Sequence, residues 1–106
     1  MADKSQLQQI MQQAQKMQTK MKEIQDEIAS LVVIGVAGGG LVKVHLTGKY
    51  TAQKTEIDDS LLTGDKEILE DLIAAAINDA VRKIETETKN KMGALTAGLN
   101  LPPGMI

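Results

Sequence analysis

The 106-residue sequence has no cysteine, no tryptophan and no phenylalanine, and Tyr50 is its one aromatic residue. Without cysteine there is neither a disulfide nor a thiolate metal site. Without large rings, the core is confined to aliphatic side chains and the six methionines. The two prolines, Pro102 and Pro103, lie near the end, so nothing upstream of them carries a ring that would break a helix. No apolar run approaches the roughly 20 residues of a membrane span. The polar opening MADKSQL holds nothing like a secretory apolar region. These absences predict a soluble, cytoplasmic, single-domain protein. A chain this short also leaves much of its surface exposed, which favours pairing with a second copy.

What is present is unevenly spread. The net charge is −2, which by itself speaks against a nucleic-acid partner. The segments differ, however: residues 1–22 carry +3, Glu56 to Asp71 carries −6, and Arg82 to the end carries +2. The stretch Gln6 to Ile28, QLQQIMQQAQKMQTKMKEIQDEI, is polar and free of glycine. Within it Leu7, Ile10, Ala14, Met17, Met21, Ile24, Ile28 and Leu31 recur at alternating steps of three and four, the a/d seam of a coiled coil. About 25 helical residues make a rod of roughly 37 Å, longer than the body of a compact chain of this size, whose radius of gyration is about 13 Å. Part of the helix is expected to project.

The spacing then changes. LVVIGV (Leu31 to Val36), LVKVHLT (Leu41 to Thr47) and YTAQKTEI (Tyr50 to Ile57) read as three strands, separated by Gly38-Gly39-Gly40 and Gly48-Lys49. Val42, Val44 and Leu46 share the apolar face of the second, and the polar third strand is expected at an edge. After the turn DDSLLTGD, Asp65 is positioned as an N-cap. A second helix follows, packing through Ile68, Leu69, Leu72, Ile73, Ala76, Ile77, Ala80, Val81 and Ile84 and continuing to Gly93. The organisation predicted is a helical arm over 1–30, a β-meander over 31–57, a second helix over 65–92 and an apolar tail over 93–106. The fold class is α+β: long helix, three-stranded antiparallel meander, long helix.

The inventory offers no active site. His45 is the only histidine and has no partner set in sequence. Gly38 to Gly40 precedes a strand rather than a helix N-terminus, and Gly48-Lys49 is followed by Tyr50 where a phosphate loop needs Ser or Thr. Asp58, Asp59 and Asp65 lack calcium-loop spacing and suit capping instead. The expectation is a protein that is not an enzyme, with no cofactor, metal, membrane or small-molecule substrate. Surfaces remain. The outward positions Gln8, Gln9, Gln12, Gln15, Lys16, Thr19 and Lys22 suit either the solvated flank of a coiled coil or a face that contacts phosphates. With no arginine fork among them, a DNA-binding face of this kind would discriminate little between bases. A module whose methionine seam (Met11, Met17, Met21) docks a partner helix, without DNA, is the alternative.

Four ordered motifs carry a resemblance: GLVKV (Gly40 to Val44), EIDDSLL (Glu56 to Leu62), LEDLIAAAINDA (Leu69 to Ala80) and LPPG (Leu101 to Gly104). Together with MQQAQKMQTKMKEIQDEI they resemble the bacterial YbaB/EbfC nucleoid-associated proteins over nearly the whole chain. The resemblance implies a tweezer-like homodimer whose arms hold duplex DNA, acting in chromosome organisation and gene regulation. Carried over position by position, it implies DNA contacts from Gln12, Gln13, Gln15, Lys16, Gln18, Thr19, Lys20 and Lys22. Lys89, Asn90 and Lys91, at the far end of the second helix, complete the set.

Overall fold

The computed structural model describes residues 4–98. Helix α1 spans Lys4–Ser30 and leads into three strands, β1 (Val32–Ala37), β2 (Val42–Thr47) and β3 (Ala52–Ile57). They form one antiparallel sheet in the order β1-β2-β3. Helix α2 then runs from Lys66 to Gly98. The polar third strand is therefore an edge, as expected, and it is largely exposed. Its pairing skips one residue between His45 and Leu46, opposite Gln53, a bulge of the kind common at sheet edges.

One face of the sheet makes the core. Val42, Val44 and Leu46 from β2 and Val33 from β1 pack under Ala76, Ala80 and Ile84 of α2. The helix comes close because its contact residues are small and because Gly35 has no side chain. A methyl group built on Gly35 would stand 2.5 Å from the Ala80 nitrogen and 2.6 Å from its Cβ. The connection between β1 and β2 is a short 3-10 segment at Gly38–Gly40 in which all three glycines have positive φ, a region that L side chains rarely enter.

α2 also seals the free edge of β1. Asp79 Oδ2 accepts the Val36 N–H at 2.9 Å, and Lys83 Nζ donates to the Ile34 carbonyl at 2.7 Å. The two side chains pair with each other at 3.1 Å. Two edge groups that would otherwise be open to another strand, the Val36 N–H and the Ile34 carbonyl, are thereby occupied. At the acidic turn, a 3-10 segment over Asp59–Thr63, the carboxylates act as caps: Asp58 accepts Ser60 N–H and Asp65 accepts Glu67 N–H.

Three expectations need correction. α2 does not stop at Gly93 but continues to Gly98. A helical glycine costs about 1 kcal/mol, whereas burying a leucine contributes roughly 1.5–3 kcal/mol, and Leu95 is 4% exposed. Tertiary burial outweighs the local break. The assigned tail thus begins inside a helix, and its remainder, including LPPG, lies outside the described residues. Ile68 and Ile77, placed on the core-facing stripe, are 54% and 42% exposed, because the three-stranded sheet is narrower than the apolar arc of the helix. The short turn DDSLLTGD, finally, is in part helical.

Candidate nucleic-acid interface

The molecule measures 75 × 22 × 15 Å along its principal axes, longer than either helix alone: at ~1.5 Å per residue the 27 residues of α1 make about 40 Å and the 33 of α2 about 50 Å. No residue of α1 is buried. Towards its C-terminal end Met17, Met21, Ile24, Ile28 and Leu31 are half-buried, while Leu7 and Ile10 towards the other end are 53% and 60% exposed. The difference follows the course of α2. Glu27 of α1 pairs with Lys91 of α2 at 3.2 Å, and one turn further out Lys20 and Ile24 share a groove with Ala94 and Leu95. As numbers fall along α1 they rise along α2, so the helices run antiparallel. The lower half of the seam is therefore covered within the chain, and the upper half extends beyond it.

All eight α1 positions implied by the resemblance (Gln12, Gln13, Gln15, Lys16, Gln18, Thr19, Lys20 and Lys22) are exposed. They do not form one face. At 3.6 residues per turn, Gln12, Gln13, Lys16, Thr19 and Lys20 lie along one flank of the rod. Gln15, Gln18 and Lys22 lie about a third of a turn away, in line with Lys4. The Thr19 hydroxyl donates to the Gln15 carbonyl at 2.9 Å, leaving its oxygen as an acceptor. On α2, Lys89 and Asn90 are exposed, whereas Lys91 is turned towards α1 and paired with Glu27. Lys20 and Lys91 line the same groove; Lys89, two residues before Lys91, points to the other side of its helix.

Charge is graded along the arm. From Lys4 to Lys22, α1 holds four lysines and no acidic residue; Glu23, Asp26 and Glu27 follow within the next five positions. The upper half offers ammoniums and amides, whereas the lower half carries three acids, with Glu27 paired to Lys91 of α2. Lys4 belongs to this basic half and was not among the expected contact residues, although its eighteen-residue spacing from Lys22 puts both on one face.

A second cluster occupies the outer face of the sheet, away from α2. Glu56 Oε2 lies 2.9 Å from His45 Nε2, and Glu56 Oε1 lies 3.4 Å from Lys54 Nζ. The bond to His45, followed by the charge of Lys54, holds the Glu56 carboxyl below its ordinary value. His45 is thus partnered across the strands by the Glu56 carboxylate, and Lys54 pairs with the same carboxylate. Beside it Val32, Ile34 and Val36 form an apolar row, 47%, 44% and 40% exposed. Among the described residues, no group of three or more histidines, cysteines or acids is placed to hold a metal ion, and no helix is long and apolar enough to cross a membrane.

Comparison with known proteins adds two findings. The family model described as the YbaB/EbfC DNA-binding family matches residues 3–99. The fold is similar to the crystal structure of an uncharacterized protein from Helicobacter pylori, with a TM-score of 0.67 and 27% sequence identity, covering 90% of this chain and 98% of that one.

Proposed function

Because this chain belongs to the YbaB/EbfC DNA-binding family, we propose that it acts as a homodimer in the nucleoid, binding duplex DNA with little sequence preference. Its role on this reading is to organise the chromosome and influence gene expression, without catalysis. The observation that carries the reading is the upper half of α1, an exposed rod with four lysines, many glutamines and no acid between Lys4 and Lys22. Ammoniums and amides contact phosphates, and phosphate contacts position a protein without reading sequence. The net charge of −2 is compatible with this because the acids are concentrated at the base of the arm and around the turn before α2.

Pairing is supported by the row Val32, Ile34 and Val36. A contiguous apolar strip on the open face of a sheet is the usual mark of an interface, and covering it with a second copy gives two arms on one body. Three lysines per arm, Lys16, Lys20 and Lys22, make six phosphate contacts in the pair. That number predicts affinity falling by about a thousandfold between 50 and 200 mM salt. Fluorescence anisotropy of a labelled random duplex at three salt concentrations measures it, with the variant carrying Lys16→Glu, Lys20→Glu and Lys22→Glu in parallel. Steep salt dependence, lost in the variant, is the expected result. Undetectable binding at low salt by the unaltered protein overturns the reading. Binding to a partner helix through the α1 seam, the competing reading, would change little with salt.

A further inference from the structure

The four lysines of the upper arm do not stand in a single line. At about 100° per residue, Lys16 and Lys20 lie on one side of α1, and Lys4 and Lys22 lie a third of a turn or more around it. Between the two lines runs an uncharged strip, Gln8, Gln12, Gln15 and Thr19, all exposed. Gln12, Gln15 and Thr19 line one shallow hollow with Lys16 and Lys20. The strip points directly away from the half-buried Met17, Met21, Ile24 and Ile28, so α2 does not stand between it and an approaching ligand. Glu23, which borders the same hollow, and Asp26 close the strip at its lower end.

We propose, on the strength of the DNA-binding reading and standing or falling with it, that the strip of Gln8, Gln12, Gln15 and Thr19 enters the major groove. There it contacts base edges, while the two lysine lines hold the phosphates of the two walls. A helix resting on a single phosphate ridge needs its cations along one line, whereas a helix lodged between two strands meets phosphate on both sides. Width selects the groove. A helix with its side chains is about 10–12 Å across, which fits a major groove about 12 Å wide and not a minor groove of about 6 Å. Glutamine amides both donate and accept, and adenine offers an acceptor and a donor on its major-groove edge. The Thr19 hydroxyl, committed as a donor to the Gln15 carbonyl at 2.9 Å, accepts from an exocyclic amine. Long unbranched amides reach several bases, so the strip favours adenine modestly and leaves most sequences bound. Glu23 and Asp26 repel phosphate and limit contact to the part of the arm above them.

The full-length protein is titrated by fluorescence anisotropy against two duplexes of the same mixed sequence, one plain and one whose cytosines carry glucosylated 5-hydroxymethyl groups. The sugars fill the major groove and leave the phosphates and the minor groove as they were. Affinity about tenfold or more lower for the glucosylated duplex is the expected result, equivalent to losing at least one good base contact. Equal affinity for the two duplexes overturns the groove assignment and leaves phosphate binding standing. Binding to neither at low salt overturns the DNA-binding reading itself, and the proposal with it. The variant Gln8→Ala, Gln12→Ala, Gln15→Ala keeps a strong helix former at each exposed site. It is expected to bind the plain duplex about tenfold more weakly, with an unchanged slope of affinity against salt, because amides release no counterions. Unchanged affinity in that variant, or a slope lowered as the loss of a lysine would lower it, overturns the role of the strip.

Discussion

Gly35 and Asp79 show how much a single position can decide. A glycine within a strand ordinarily weakens it, yet here the missing side chain lets the backbone of α2 settle against β1. Gly35→Ala is expected to lower stability by about 2 kcal/mol or more, the scale of an overpacked core, measured as a shift in the urea midpoint. Asp79 is coupled to acidity. Its carboxyl is held below the ordinary value first by the Val36 N–H and then by Lys83. A depressed folded value means the stabilisation is present above the ordinary carboxylate range and is lost as pH falls through the folded value. Urea midpoints should therefore decline as pH falls below the ordinary carboxylate range, and the decline should be shallower in Asp79→Asn. Equal slopes would remove Asp79 from the account. Neither role was legible in the sequence, since each depends on a partner more than forty positions away.

At the scale of elements, what was readable was what repeats. The alternation of Val42, Val44 and Leu46 identified the buried face of β2, and Asp65 marked the start of α2, because strand period and capping are local. The end of α2 was not local. Gly93 reads as a stop, but an added Cβ there meets nothing within 4 Å, and the helix continues because Leu95 is buried on α1. Gly93→Ala is therefore expected to stabilise the protein by about 1 kcal/mol, seen as a higher melting temperature. A loss of stability would show that the glycine is needed for its conformation. The contact residues carried over by resemblance divide on the same ground: linear proximity grouped Lys89, Asn90 and Lys91, whereas helical phase sends Lys91 to Glu27 and Lys89 away from it.

At the scale of the whole molecule, the shape is extended, with a Cα radius of gyration of 20.7 Å against about 13 Å for a compact domain of similar length. The body that anchors this rod is small, one helix on three strands, and its outer sheet face is unprotected. Ile34→Asp places a charge in the centre of the apolar row. If that row joins two copies, sedimentation should find about twice the 11.4 kDa chain mass for the unaltered protein and the single mass for the variant. A variant that sediments as the unaltered protein does would locate the interface elsewhere.

The seal that Asp79 and Lys83 place on β1 has a consequence for growth. Strand-by-strand addition requires two open sides, one to receive and one to offer. This sheet is guarded at β1, where Asp79 and Lys83 occupy two edge groups, and is open at β3. Edge-to-edge joining of identical chains is therefore disfavoured at β1 and left to β3, which biases a protein with a short core and a long exposed arm against open-ended fibre growth.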